Sequence, residues 1–130
     1  MNIIREINRE LAIAGQITLA QLQQVADEGY KCVVNLRLAD ETGWLANERK
    51  KTELLGLYYV NFPTECEDIN HQSTLQMYQT ITELPKPILI HCDNSIRSAA
   101  IVFLYIALKQ GIDFEKALQK VISLGLISRV

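Results

Sequence analysis

The residues best suited to chemistry lie in the stretch HCDNSIRS, between a strand-like run and a long apolar run. A loop that leads into a helix N-terminus directs unpaired backbone N–H groups at one spot, where the helix dipole also favours negative charge. A cysteine at that spot, here Cys92, is favoured as its nucleophilic thiolate. Arg97 can hold two oxygens of a phosphoryl group while the sulfur attacks phosphorus, and Ser98 can donate a hydrogen bond to the thiolate as it leaves. The spacing therefore predicts phosphoryl transfer through a cysteinyl-phosphate, with no metal and no cofactor.

The residues between the cysteine and the arginine are predicted to cradle the phosphate. With the arginine itself, the predicted phosphate-binding set is Asp93, Asn94, Ser95, Ile96 and Arg97. Asp93 is unusual in this place, because a carboxylate beside the nucleophile opposes both the thiolate and the approach of a dianionic phosphate. His91 precedes the turn and is expected to orient the loop through hydrogen bonds rather than to act as a base.

A proton for the leaving group should come from a carboxylic acid on a neighbouring loop. The stretch PTECEDIN follows the third predicted strand and carries three candidates, Glu65, Glu67 and Asp68. We choose Asp68 as the general acid. The alternative is a solvated acidic loop in which Asp68 or Asn70 only caps the next helix. Arg37, after the second predicted strand, either adds positive charge near the substrate or pairs with Asp40 or Glu41, and the pairing is preferred.

The three cysteines form no CxxC pair and accompany only two histidines, which disfavours a disulfide framework and a structural zinc site. Cys32 lies in a strand-like run and is predicted to be a core residue. Cys66 lies in the acidic loop and is a candidate to trap oxidised Cys92 as a disulfide. The alternative is that Cys66 is an unrelated loop residue.

Length, composition and net charge limit the number of domains and the kinds of partner that we expect for this chain. At 130 residues, with 48% hydrophobic residues, the chain fits a single domain over 1–130 with a sizeable core. The formal net charge of -2 gives no sign of general affinity for nucleic acid or for an anionic membrane surface. The sequence shows no signal-peptide pattern and no apolar stretch of about 18 residues, so a cytoplasmic location is the default. The expected partner is a phosphorylated protein or small-molecule substrate, and the oligomeric state stays open.

The sequence alternates between strand and helix patterns, and these predicted elements position the candidate residues. Strands are predicted over 11–15, 31–36, 57–63 and 87–92, and helices from Thr18, over 43–56, 70–85 and 98–110, and after Asp113. Leu75, Tyr78 and Ile81 are predicted to share the buried face of the third helix. This order predicts an α/β fold with a mainly parallel central sheet flanked by helices on both faces. Ligands bind beyond the carboxyl ends of such strands, where Cys92 lies.

The loop also resembles a known signature. HCDNSIRS is similar to the HCxxGxxR[S/T] motif of cysteine-dependent protein phosphatases, with four residues between Cys92 and Arg97 in place of five. The shorter loop resembles small bacterial dual-specificity-like phosphatases related to the phosphatase-like domain of beta-lactamase hydrolase-like proteins. The likeness extends over about 15–124, through GQITLAQLQQVADEGYKCVVNLRLADE, ELLGLYYVNFP and LPKPILIHCDNSIRSAAIVFLYIALKQG.

This resemblance implies a protein tyrosine phosphatase-like fold of the dual-specificity type and hydrolysis of phosphomonoesters, in proteins or in small molecules. It also implies a general acid in the region of PTECEDIN. The family commonly has glycine where Ser95 stands, and a glycine there permits a positive φ or a close backbone approach. Two alternatives stay open. One is a rhodanese-type sulfurtransferase, and the other is a weak pseudo-phosphatase that binds phosphorylated ligands, which Asp93 and Ser95 favour.

Overall fold

The computed structural model describes residues 4–127. Within them, five strands form one sheet in the order β1-β2-β5-β3-β4. The strands are β1 (Arg5–Glu6), β2 (Leu11–Ala14), β3 (Cys32–Asn35), β4 (Tyr58–Asn61) and β5 (Ile88–His91). Strands β2, β5, β3 and β4 are parallel, and β1 pairs antiparallel with β2 at the edge. The predicted mainly parallel sheet is confirmed. The two-residue β1 is too short to show an alternating pattern in the sequence.

Five α-helices cover the two faces of the sheet in the described part of the chain. They are α1 (Leu19–Asp27), α2 (Glu48–Leu54), α3 (His71–Glu83), α4 (Ile96–Lys109) and α5 (Phe114–Ser123), and a short 3-10 helix spans Cys66–Asp68. Alternate residues of the four parallel strands enter opposite cores, as β5 illustrates. Ile88 and Ile90 pack on the side of α3, α4 and α5, whereas Leu89 packs on the side of α1. The predicted arrangement of helices on both faces is confirmed.

Local signals in the sequence set most of the helix boundaries. Thr18 caps α1 through the predicted capping box, in which its Oγ1 accepts from the Gln21 backbone N–H at 3.1 Å and the Gln21 side chain accepts from the Thr18 N–H at 2.8 Å. Asn70 caps α3 by accepting from the Ser73 N–H at 2.9 Å. Of the two residues considered as caps for this helix, it is therefore Asn70 that has the role.

Two helix predictions need correction. The predicted helix over 43–56 begins only at Glu48, and its predicted first residue, Gly43, has a φ of 87°, which a right-handed helix does not contain. The predicted buried face of α3 is wrong at Leu75, which is 43% exposed. A turn of 3.6 residues carries a strict three-residue spacing away from one face, so the buried positions are Thr74, Met77 and Ile81.

The carboxyl ends of the parallel strands lie side by side. Their last residues are in register as Ala14, His91, Asn35 and Asn61. The loops that follow these strands therefore converge at one edge of the sheet, which is where α/β sheets bind ligands. No helix in residues 4–127 is long and apolar enough to cross a membrane.

Candidate active site

The loop between β5 and α4 makes a left-handed turn at Ser95. Helix α4 begins at Ile96, two residues earlier than predicted, and Ser95 at its N-cap has φ 70° and ψ -6°. This conformation costs a non-glycine residue roughly 1–2 kcal/mol because Cβ approaches the following carbonyl oxygen. The position thus has the positive φ that the family's glycine would permit, and the serine adopts it under strain.

Strand β2 holds the start of this loop. The Cys92 N–H donates to the Ala14 carbonyl at 3.2 Å, and the Gln16 N–H donates to the Asp93 carbonyl at 3.1 Å. A Cβ on Gly15 would lie 2.9 Å from that same carbonyl oxygen. The close approach of the two chains therefore needs glycine at this position.

Side chains of the loop already bond to its own amides. The Asp93 carboxylate accepts from the Asn94 N–H at 2.9 Å, and the Asn94 side chain accepts from the Ile96 N–H at 3.2 Å. These amides belong to the predicted phosphate cradle. A phosphate that used them would have to replace the two side-chain acceptors.

Arg97 is held by acceptors from three loops. Its Nη1 donates to Glu41 Oε2 at 2.8 Å and to the Thr64 carbonyl at 3.1 Å. Its Nη2 donates to Glu41 Oε1 at 2.7 Å and to Asp93 Oδ1 at 3.0 Å. The structure thus brings together the predicted Arg97 and Asp93. It adds Glu41, which the sequence suggested only as a partner for Arg37.

These contacts set the charge state of the site. The hydrogen bonds from Arg97 lower the pKa of Glu41 from 4.5 to about 2, against the opposing effect of burial. Burial acts to raise the pKa of Asp93, but the hydrogen bond and charge of Arg97 outweigh it, so the pKa lies below its usual value. Both carboxylates are therefore ionised at neutral pH, and both face the guanidinium that is predicted to bind phosphate.

An open cavity of about 560 Å³ lies above this loop. Its lining contains four carboxylates and one guanidinium, and consists of Glu41, Glu65, Cys66, Glu67, Asp93, Asn94, Ile96, Arg97, Gly125 and Leu126. Of the three candidate general acids, Glu65 and Glu67 line the cavity. Asp68 lies outside the lining, on the exposed 3-10 helix, where its carbonyl accepts from the Ser73 hydroxyl at 3.0 Å. The negative charge of Glu67 is the largest effect that raises the pKa of Glu65.

Cys92 and Ser98 lie beneath the cavity rather than on its surface. Both are 0% exposed, and Cys92 belongs to the core cluster on the α4 side of the sheet. The Ser98 hydroxyl has no hydrogen-bond partner within residues 4–127. Buried hydroxyl groups without a partner are rare in folded proteins. A substrate in the cavity can reach the Cys92 sulfur only if the loop moves.

His91 is anchored on the opposite face of the sheet. Its Nε2 lies 2.5 Å from Glu48 Oε2, and both side chains are fully buried. Glu48 Oε1 in turn accepts from the Gln16 side chain at 2.9 Å. This geometry agrees with an orienting role for His91. Among residues 4–127, no group of three or more His, Cys, Asp or Glu side chains is placed to hold a metal ion.

Comparison with known protein sequences finds a distant relative. No family model matches the chain. A protein of Agrobacterium fabrum, described as beta-lactamase hydrolase-like, is 28% identical over 101 residues. The match covers 75% of this chain but only 23% of that protein, so the chain corresponds to about a quarter of its length.

Solved structures resemble the whole chain. A "putative phosphatase" of Neisseria meningitidis superposes with a TM-score of 0.76 at 21% identity, over 98% of this chain and 92% of that one. PTPMT1 in complex with PI(5)P gives 0.75 at 18% identity, over 98% and 86%. TpbA of P. aeruginosa in complex with pTyr gives 0.69 at 16% identity, over 95% and 74%. The chain has the protein tyrosine phosphatase-like fold, and the resemblance inferred from its sequence is confirmed at the level of fold.

Proposed function

We propose that this chain is a cysteine-dependent phosphatase that hydrolyses phosphomonoesters through Cys92. The observation that carries this proposal is the turn from β5 into the 14-residue helix α4: Cys92 directly follows β5 and Arg97 is the second residue of α4, so both lie at the N-terminal end of the helix dipole. The similar structures with pTyr and PI(5)P bound support a phosphorylated substrate, in a protein or in a small molecule.

The chemistry proceeds in two steps. In the first, the thiolate of Cys92 forms a bond to phosphorus, and the bond from phosphorus to the ester oxygen breaks as a carboxylic acid protonates that oxygen. In the second, the carboxylate left by that acid takes a proton from water, the water oxygen forms a bond to phosphorus, the bond from phosphorus to sulfur breaks, and the sulfur leaves as a thiolate with release of inorganic phosphate. Arg97 and the loop N–H groups stabilise the charge on the non-bridging oxygens. In this proposal the Ser98 hydroxyl, which makes no hydrogen bond to the Cys92 sulfur in this structure, donates to the departing thiolate once the loop has moved.

The general acid is part of this proposal, and the cavity favours Glu65 over Asp68. Glu65 lines the cavity, and the charge of Glu67 raises its pKa, which increases the protonated fraction that an acid catalyst needs. Glu65→Gln should lower kcat about 10²-fold for alkyl phosphates and much less for p-nitrophenyl phosphate, whose leaving group needs no proton. If Asp68→Asn shows this dependence on the leaving group and Glu65→Gln does not, the sequence-based choice is right.

A second candidate function is the binding of phosphorylated ligands without turnover. The burial of Cys92 favours it, and so does the occupation of Arg97 by Glu41 and Asp93. A protein with this function would bind phosphate and release it unchanged, because the sulfur would not reach phosphorus.

Hydrolysis of p-nitrophenyl phosphate by the wild type and by Cys92→Ser tests the proposal. We expect turnover by the wild type, unaffected by a metal chelator, and none by the folded variant. Full activity in Cys92→Ser would overturn the assignment. Orthovanadate binding without hydrolysis would favour the second candidate, and turnover in a thiosulfate–cyanide assay would favour sulfur transfer.

A further inference from the structure

The side-chain amide of Gln16 lies between a guanidinium and a carboxylate. Its Oε1 accepts from Arg37 Nη1 at 2.6 Å. Its Nε2 donates to Glu48 Oε1 at 2.9 Å and to the Ile17 carbonyl at 2.8 Å. A guanidinium can only donate and a backbone carbonyl can only accept, so these partners fix which end of the amide faces which group. Among side chains of this length, the amide is the one that offers an acceptor together with two donors.

The backbone at Gln16 pairs with the loop between β5 and α4. The Gln16 N–H donates to the Asp93 carbonyl at 3.1 Å, next to the bond from the Cys92 N–H to the Ala14 carbonyl at 3.2 Å. These two bonds hold the first two residues of the loop against the chain that follows β2. Whatever fixes the side chain of Gln16 therefore also fixes the start of the loop.

The Gln16 amide also supports the buried pair of Glu48 and His91. His91 directly precedes Cys92, and its Nε2 lies 2.5 Å from Glu48 Oε2, so one proton lies between two fully buried side chains. With Gln16 donating to Oε1, each oxygen of the carboxylate has a partner. Loss of either partner would leave a buried polar atom unsatisfied, which is costly. Gln16 thus holds Glu48, and through it His91, in one arrangement.

Arg37 fixes the amide from the opposite side. Its side chain is only 2% exposed, and a buried guanidinium is costly unless its donors are satisfied. Besides the bond to Gln16, its Nε donates to Glu41 Oε1 at 3.2 Å and its Nη2 donates to the Thr42 carbonyl. The Gln16 amide therefore cannot turn away without leaving buried groups on both sides unpaired.

We propose that Gln16 is a positioning residue of the candidate active site. Its backbone holds the start of the loop, and its side chain ties that backbone to the Glu48–His91 pair. The position of Cys92 is thus set both from β2 and from the end of β5. Gln16 acts through these groups and touches no reacting atom. The proposal deepens the proposed phosphatase function and rests on it for its catalytic part.

A merely structural role for Gln16 predicts a different result. Loss of its hydrogen bonds would then lower the unfolding temperature and leave kcat of the folded protein unchanged. A positioning role predicts a lower kcat with a smaller change in KM, because displacement of the nucleophile affects the transition state more than it affects substrate binding.

The test removes the amide and then restores its hydrogen bond in reverse. Gln16→Met keeps the length of the side chain but removes its donors and acceptor, and should lower kcat for p-nitrophenyl phosphate about tenfold while raising KM less than about threefold. In Gln16→Glu, two carboxylates face each other across the 2.9 Å contact, so kcat should fall by a similar factor. Adding Glu48→Gln to Gln16→Glu places an amide donor opposite a carboxylate again. This double variant should recover kcat to within about threefold of the wild type.

Two controls accompany these variants. Gln24→Glu adds the same charge at an exposed glutamine of α1 whose side chain makes no hydrogen bond within residues 4–127, and should leave kcat and KM within about twofold. Glu48→Gln added to Gln16→Met should give no recovery, because methionine offers no partner for the new amide. Thermal unfolding of each variant confirms that the protein compared is folded.

Binding of orthovanadate to the wild type and the variants gives a readout that needs no turnover. We expect its affinity to fall about tenfold in Gln16→Met and to recover when Glu48→Gln is added to Gln16→Glu. If folded Gln16→Met keeps wild-type kcat and orthovanadate affinity, or if Glu48→Gln does not improve Gln16→Glu, the positioning role is overturned. If the wild type hydrolyses nothing but the affinities follow the expected order, the phosphatase function fails and the positioning of the loop by Gln16 stands.

Discussion

Acid should remove the stabilisation that Glu41 provides. Arg97 lowers the pKa of this carboxyl from 4.5 to about 2 in the folded chain. A carboxyl with a lowered pKa stabilises the folded state fully above its unfolded pKa, and the contribution is lost as the pH falls from about 4.5 through about 2. That difference, at 1.36 kcal/mol per pKa unit, corresponds to about 3 kcal/mol as an upper bound. Screening by water at the partly open cavity reduces it to about 2 kcal/mol.

The assay is urea unfolding of the wild type and of Glu41→Gln at a series of pH values from 7 to 3. More than half of the loss falls within this window, so the free energy of unfolding of the wild type should drop by at least about 1 kcal/mol more than that of the variant. Using the difference between the two proteins cancels the carboxylates that they share. If the two curves stay parallel within about 0.5 kcal/mol, the contact between Glu41 and Arg97 contributes little, and the reasoning about its strength is wrong.

Three further results are expected. Ser95→Gly should raise the unfolding temperature by about 2–5 °C, because relief of the left-handed φ, roughly 1–2 kcal/mol, exceeds the extra unfolded-state entropy of glycine, and unchanged or lower stability would contradict the strain at this residue. Asp93→Asn should tighten phosphate binding about two- to fivefold and raise turnover, because it frees Nη2 of Arg97; reduced activity would mean that the loop is adapted to a special substrate. Loop motion that admits a substrate to the buried Cys92 should also admit mild peroxide, which is expected to abolish hydrolysis reversibly; peptide mapping then separates a Cys66–Cys92 disulfide from the alternative that Cys66 is an unrelated loop residue, and reversible inactivation that persists in Cys66→Ser would exclude Cys66 as the partner.

Much of the fold could be predicted because local sequence patterns determine the order of its strands and helices. The alternation of strands and helices indicated a parallel sheet, and its carboxyl edge indicated where the site lies. Cys32 illustrates a residue that the sequence placed well. It is fully buried at the start of β3, and burial raises the pKa of its thiol to about 12. The resemblance to a motif that has glycine at position 95 also predicts the left-handed turn at Ser95.

The acidic loop shows where sequence reasoning stopped. Glu65, Glu67 and Asp68 lie within four positions and all carry a carboxyl group. Only the path of the folded chain shows which of these carboxyl groups lies at the cavity. Glu65 precedes the 3-10 helix over Cys66–Asp68 and lines the cavity, whereas Asp68, the last residue of that helix, is not part of the lining. Nothing in the sequence marks a turn of this kind, because it has no repeating pattern and no capping residue that bonds through its side chain.

The contacts of Arg97 were the least predictable feature, because Glu41 lies 56 residues away in the chain. The sequence offered Arg37 as the nearer partner for this carboxylate, and the structure satisfies both arginines with it. Removing each of the two carboxylates that accept hydrogen bonds from Arg97 should have a different effect. Asp93 takes the donor that a phosphate needs, so its removal should cost some stability and increase anion binding. Glu41 takes the donors on the other edge, so its removal should cost stability and anion binding together. Opposite signs of the affinity change at these two residues would therefore distinguish a competitor of the substrate from a support of the arginine.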